Sequence, residues 1–415
     1  MASVDDLYFD ALEVRDSALR DGALLSALPG LLRHAVENAP GLAQHLAGID
    51  PDSLTSLIAL AELPVLHKSD LIEQQASQPP FAGMIATPRD KMARIFASPG
   101  PIFEPEAVRP DYWRFARALF AAGIRAGDLV HNTFSYHLTP GGAMIETGAR
   151  ALGCPVIPAG TAQTDLQLQA IDYLQPSAFA GTPSFLRILL ERCRAEGLRH
   201  RFRHALVSGE AFPRTLAQEL QDQYGIGAYQ CYGTADIGLI AYESPAREGL
   251  VIDEGVLVEV VRPGTGQPVP AGEVGEVLVT TFNPDYPLIR FATGDLSAIL
   301  PGSSPCGRTN RRLRGWLGRA DQSTKVKGMF VHPGQIAKVA QRHGEVGRAR
   351  LVVERLDGHD QMTLHCETDH QGEGLVPAIE QSLQAITGLR GSVTLIAPGE
   401  LANDGKVVDD RRPLD

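Results

Sequence analysis

The stretch DLVHNTFSYHLTPGGAMIETGARALGCPVIPAG, residues 128–160, places three elements in succession. DLVHNTF reads as a strand and PVIPAG as the next one. Between them TPGGAMIETGARALG reads as a helix opened by Thr139 and Pro140. The same rhythm continues downstream, with a helix through DLQLQAIDYL, a strand at SAFAG, and a helix over TPSFLRILLERCRAEG. That last helix has Thr182 as its cap and Pro183 at its first position, where a missing N–H costs nothing. ALVSG and GAYQCYG are two further strands around the helical PRTLAQELQDQYG. Strands alternating with helices of this length predict a mostly parallel sheet covered on both faces. Ligands on such sheets bind beyond the carboxyl ends of the strands. Residues 135–137, Gly181, Gly209, Glu210 and the segment after Tyr232 therefore face one crevice.

Outward from this core the pattern changes twice. Up to about Gln78 the chain is helical and rich in Leu and Ala; after Pro245 the helices stop. GVLVEVV, GEVGEVLVTTF and LSAIL then alternate as antiparallel strands between Gly and Pro turns. From Gln322 a third pattern begins, with strands ARLVVERL, MTLHCET and SVTLI and a helix over LVPAIEQSLQAI. The expected organisation is a large N-terminal domain, residues 1–321, and a small α+β lid, residues 322–415. The large domain divides into a helical start (1–90), an α/β core (91–245) and a β-rich subdomain (246–321).

The chain has 415 residues, 44% of them apolar, and a net charge of -11. This balance supports more than one core and argues against a nucleic-acid surface, which calls for a basic patch. Cys154, Cys193, Cys231, Cys306 and Cys366 are scattered singly, as reduced thiols in a cytoplasm would be. The N-terminal stretch alternates charged and apolar residues at helical spacing, unlike a signal peptide, and no segment is long and uncharged enough to span a membrane. A soluble, cytoplasmic protein is expected.

Four segments carry chemistry: CYGTADIG, with Tyr232, Gly233, Thr234 and Asp236 in a loop leaving a strand; FATGDLS, with Thr293 and Asp295 just ahead of another; LGRADQSTKVKG; and NDGKVVDDRR, with Lys406. Alone, a Thr-Gly-Asp is an ordinary turn and a lysine near a terminus a solvated charge. Their order and spacing resemble the adenylate-forming superfamily of acyl-CoA synthetases, and within it the phenylacetate-CoA ligase family. FSYHLTPGGAMIETGARALGCPVIPAGTAQTDLQLQAI, LQPSAFAGTPSFL, ALVSGEAF, YPLIRFATGDLSAIL, PCGRT and GRADQSTKVKGMFVHPGQI are each similar to a family motif, so the resemblance covers most of the chain.

The resemblance implies ATP or AMP, Mg2+ and coenzyme A as cofactors and a small carboxylic acid as substrate, with a homodimer common among related proteins. In it Asp295 would hold the ribose hydroxyls, Arg319 would reach ribose or phosphate, Gly209 and Glu210 would line the adenine slot, and Tyr232 would stack on adenine. Asp236 stands where the family has a glutamate that helps hold magnesium, and Ala235 where it usually has a hydroxyl residue, with Thr234 beside it. Lys406 would be the adenylation lysine and Asp321 the hinge of the lid, with Lys327 and Gly328 on the coenzyme A side. Phe134, Tyr136, His137, Gly181 and Ala211 would line the acyl pocket. Cys306 is similar to a cysteine of metal-binding variants of the family, without nearby Cys or His partners in sequence.

The phosphate loop departs from the pattern. In RIFASPGPIFEPE, Ser98, Gly100 and the N–H of Ile102 survive, while Pro99 and Pro101 delete two donors that a phosphate cradle uses. The first reading is an AMP-forming acyl-CoA ligase for an aromatic or similar small acid. The altered loop, Ala235 and Asp236 leave open a second, a protein of this fold that has lost adenylation and serves as a binding module or handles a preformed adenylate or thioester. Transfer to a carrier protein instead of coenzyme A is also left open.

Overall fold

In the computed structural model the N-terminal region winds into helices α1 (Ser17–Asn38), α2 (Pro40–His45), α3 (Leu57–Ala61) and α4 (Lys68–Ser77), the last preceded by the short strand β1 (Leu66–His67). The structure describes residues 7–98, 101–261, 266–320, 323–331, 333–356, 359–370, 372, 374–402 and 407–413. The chain divides into two compact units, Met1–Leu317 and Gly318–Asp415.

In the first unit, β2 (Met92–Ser98) and β3 (Ile102–Ala107) pair antiparallel, closing on the pair Ser98 and Ile102. The amide of Gln75, on α4, bonds both the N–H and the carbonyl of Phe103 at 2.7 and 3.1 Å, as a neighbouring strand would. Helix α5 (Phe115–Ala121) leads into the alternating region: β4 (Val130–Asn132), α6 (Gly141–Ala151), β5 (Val156–Pro158), α7 (Thr164–Leu174), β6 (Ala178–Gly181), α8 (Pro183–Glu196), β7 (His204–Val207), α9 (Arg214–Tyr224) and β8 (Gly227–Thr234). Strands β5, β4, β6, β7 and β8 lie side by side in parallel. Successive residues of one strand enter opposite cores: Ala178 and Ala180 pack with α5 and α6, while Phe179 packs with α7, α8 and α9. Both faces are thus covered, as the alternation predicts.

Local signals fix the helices. Thr182 Oγ1 accepts the N–H of Phe185 at 3.4 Å, Pro183 opens α8, and Gly197 ends it at a φ of 67°. Leu186, Leu189, Leu190 and Cys193 form its buried stripe, the spacing of one helix face. Helix α6 differs from expectation. It begins at Gly141 after Pro140 without a side-chain cap, and at Gly148 a Cβ would stand 2.8 Å from the backbone N of Ala116, so glycine lets α5 and α6 approach.

The strands after β8 are divided between two sheets. β9 (Gly238–Glu243) and β10 (Leu250–Ile252) extend the central sheet antiparallel, while β11 (Val256–Val261), β12 (Gly275–Thr281) and β13 (Phe291–Ser297) form another with β1. β14 (Ile299–Leu300) and β15 (Arg312–Leu313) return to the central sheet, giving the order β14-β15-β10-β9-β8-β7-β6-β4-β5. The second unit holds the hairpin β16 (Thr324–Val326) and β17 (Met329–Val331), helix α10 (Pro333–Arg342), strands β18 (Ala349–Leu356) and β19 (His359–Glu367), helix α11 (Leu375–Thr387), and strands β20 (Ser392–Ile396) and β21 (Val408–Asp410). Its four-stranded sheet runs β20-β19-β18-β21.

Two sequence expectations are corrected here. Tyr232, Gly233 and Thr234 are the last residues of β8, not a loop beyond it, because β9 turns back and pairs with them. Thr293 and Asp295 lie inside β13, not ahead of a strand. The Thr-Gly-Asp is a bulge: β12 pairs Glu276 with Leu296 and Leu278 with Ala292, so Val277 faces three residues, with Gly294 at a φ of 74°.

Candidate active site

The bulge aims Asp295 at the end of β8. Tyr232 donates its phenolic proton to Asp295 Oδ2 at 2.8 Å, with Thr293 Oγ1 3.1 Å from the same hydroxyl. Trp316 Nε1 donates to Asp295 Oδ1 at 3.0 Å. Each carboxylate oxygen thus meets a donor fixed by the fold. A carboxylate offers about four lone-pair sites and accepts O–H groups readily. Asp295 is 8% exposed.

A second cluster stands below the phosphate-loop hairpin. Lys68, the first residue of α4, pairs with Asp236 Oδ2 at 2.5 Å. Asp236 is 2% exposed, and its Oδ1 meets no donor, nor does Oε2 of the fully buried Glu104 on β3. Burial first, and the Asp236 charge second, push the Glu104 carboxyl well above the usual range. Ser98 donates to Glu104 Oε1 at 2.6 Å. Ser98, an expected phosphate contact, is thus a buried support of the hairpin. In the β8–β9 turn Thr234 Oγ1 accepts the N–H of Ile237 at 3.2 Å and holds Ala235 and Asp236 in place. Among the described residues no group of three His, Cys, Asp or Glu side chains is gathered as a metal cluster would be. Asp236 nonetheless offers a hard carboxyl oxygen, Oδ1, which suits magnesium.

The remaining expected residues fall as follows. Gly209 and Glu210 are exposed on the loop after β7, where Glu210 Oε1 accepts the N–H of Ser184 at 2.6 Å in the first turn of α8; Ala211 beside them is half-buried. Gly181 ends β6, and a Cβ there would stand 1.9 Å from Thr133 Oγ1. Phe134 and Tyr136 are half-buried after β4, whereas His137 is exposed, its N–H donating to Ser135 Oγ at 3.1 Å. In the second unit the Arg319 guanidinium lies over the Phe330 ring, 5.7 Å from its centroid, and Lys327 and Gly328 form the β16–β17 turn at φ values of 47° and 86°. Pro99, Gly100, Asp321 and Lys406 lie outside the described residues. Cys306 is a free thiol brought down from its ordinary pKa, against its burial, by hydrogen bonds from Ser244, Ser304 and Arg308.

Sequence reasoning missed Lys68, Glu104 and Trp316. Lys68 and Asp236 are 168 residues apart and Trp316 and Asp295 are 21 apart, so no local motif joins them. Trp316 sits two residues before GRADQSTKVKG, and only that adjacency marked it.

The end of β8 in the central sheet thus brings Tyr232 against the buried Asp295 carboxylate of β13, and a family model described as AMP-binding enzyme matches residues 123–283. The chain is 31% identical to a phenylacetate-coenzyme A ligase of Thermus thermophilus and 30% identical to one of Aromatoleum evansii, each match covering 94% of both chains. It belongs to the phenylacetate-CoA ligase family of adenylate-forming enzymes. A crystal structure of 2-hydroxyisobutyryl-CoA ligase with 2-HIB-AMP and CoA in the thioesterification state is 27% identical. It covers 100% of this chain and 94% of its own, with a TM-score of 0.85.

Proposed function

We propose that the protein is an ATP-dependent, AMP-forming ligase that joins an aromatic or similarly small carboxylic acid to coenzyme A. Family membership over nearly the whole chain supports the reaction class, and relatives named for phenylacetate support the acid. The observation that carries the reading is the buried Asp295 carboxylate, oriented by Tyr232 and Trp316 beside the end of β8, an acceptor of the kind that binds the paired hydroxyls of a ribose.

In the first half-reaction the substrate carboxylate attacks the α-phosphorus of ATP and pyrophosphate leaves. In the second, the coenzyme A thiol attacks the acyl carbon and AMP leaves. No side chain forms a covalent bond; the protein positions the reactants and balances charge. Asp295 fixes the ribose, Tyr232 offers its ring to adenine, and Gly209 and Glu210 border the base. Magnesium, held by Asp236, would neutralise phosphate charge, and Lys68 pairs with that carboxylate. Lys406 serves adenylation, Arg319 the ribose or phosphate, and the Lys327–Gly328 turn the pantetheine arm, with residues 322–415 acting as a lid that turns about Asp321. Gly328, at positive φ without a side chain, leaves backbone open to close approach.

The test is acid-dependent exchange of labelled pyrophosphate into ATP in the absence of coenzyme A. Exchange with an arylacetic or benzoic acid is expected. A broad acid panel without exchange, together with no ATP binding at millimolar levels, would replace this reading with that of a binding module.

A further inference from the structure

Next to the acyl-side residues lies a polar chain that the ligase reaction does not use. Asn132, the last residue of β4, donates from Nδ2 to the Tyr136 hydroxyl and to the carbonyl of Gly142, both at 2.8 Å. The Tyr136 ring rests so close to Gly142 that a Cβ there would stand 2.7 Å from Cδ2. Glu146 is one helical turn beyond Gly142 on α6, so the two share the face that meets Tyr136. Burial, and then the Glu146 charge, push the Tyr136 hydroxyl well above its usual pKa. With Asn132 donating to its oxygen, Tyr136 has its own proton left for an acceptor on the Glu146 side.

Glu146 is half-buried, and among the described residues no Lys, Arg or His forms an ion pair with it. An acid filling the crevice beyond β4 and β6 would strip water from this carboxylate. An unsubstituted acid gives nothing in return and leaves the carboxylate only the Tyr136 proton where water had supplied more, and unmet acceptor sites on a desolvated charge are costly. An acid with a hydroxyl or ammonium group on its carbon skeleton restores the lost hydrogen bond.

We propose that Glu146, positioned with Tyr136, makes the protein prefer carboxylic acids carrying a hydrogen-bond donor over their unsubstituted counterparts. This rests on the ligase reading and adds to it the class of acid. Sites built to bond a substrate hydroxyl reject the analogue that lacks it far more strongly than apolar pockets reject a missing methylene.

The experiment measures kcat/KM for matched pairs: phenylacetate against mandelate and 4-hydroxyphenylacetate, and isobutyrate against 2-hydroxyisobutyrate and 2-aminoisobutyrate. The ratio within one enzyme preparation does not depend on how much of it is folded. Wild type should favour at least one donor-bearing acid by about tenfold or more, and Glu146→Ala should bring that ratio close to one. Glu146→Gln keeps an acceptor oxygen, so it should preserve a preference for a hydroxyl and lose one for an ammonium. Acids activated with ratios near one in wild type, or ratios unmoved in Glu146→Ala, overturn the assignment and leave the ligase standing. Absence of any adenylate from every acid overturns the ligase reading itself.

Discussion

Tyr232 has one proton to give, and it goes to Asp295. Tyr232→Phe keeps the ring for adenine and removes that donor. A hydrogen bond to a charged group is worth about 1.5–3 kcal/mol, so AMP should bind roughly 10- to 100-fold more weakly by calorimetry. Unchanged AMP affinity would show that Asp295 needs no anchor. A second residue gives a pH signature. Asp111, whose carboxylate caps the N–H of Ala116, is pushed up to about 7 chiefly by burial. Its folded pKa lies above its unfolded value, so the folded state holds this proton more tightly. The stability it contributes is complete below about pH 4 and is lost as pH rises through about 7. Asp111→Asn keeps an acceptor oxygen and tolerates the φ of 44° there. Its melting temperature relative to wild type should therefore climb between pH 5 and pH 8, and a constant difference would contradict the shift. At this scale Tyr232 and Asp295 could be singled out as candidates because each lies in a short motif, and the structure brings the two together. Lys68, Glu104 and Trp316 were not, because their meaning lies in partners that only the fold supplies.

The β2–β3 hairpin shows what an element adds. The sequence marks Pro99 and Pro101 as lost donors, whereas the structure shows that Ser98 is also committed, to Glu104, and that Gln75 pins Phe103. Pro99→Ser with Pro101→Thr returns two N–H groups and two hydroxyls to the loop. ATP should then bind about tenfold or more tightly while AMP binds as before, because only the β- and γ-phosphates come within the loop's reach. Calorimetry with each nucleotide decides. Equal affinities with only a lower melting temperature would make the prolines structural, consistent with their restriction of the unfolded chain. The bulge in β13 teaches a similar lesson. Composition alone cannot distinguish a Thr-Gly-Asp turn from a Thr-Gly-Asp bulge, since both need glycine at positive φ. Only the register with β12 separates them. Helix α8 was legible almost to the residue, because its cap, opening proline, buried stripe and terminal glycine are all local signals.

Across the whole molecule, the alternation in residues 128–234 was sufficient to indicate the parallel half of the central sheet. The return of β10, β14 and β15 to that sheet was not legible, because antiparallel strands of similar composition carry no mark of which sheet they join. The account assigns Lys406 to adenylation alone, so Lys406→Ala should lower acid-dependent pyrophosphate exchange by orders of magnitude. The same variant should form thioester from a synthetic acyl-adenylate and coenzyme A at near the wild-type rate; equal losses in both would contradict a division of labour between the half-reactions. The most direct test of the central claim is mass spectrometry of the products from ATP, coenzyme A, magnesium and a panel of aryl, arylacetic and hydroxy acids. The account predicts AMP and an acyl-CoA thioester in equal amounts, each dependent on the acid. ADP in place of AMP, or AMP without any thioester, would contradict it.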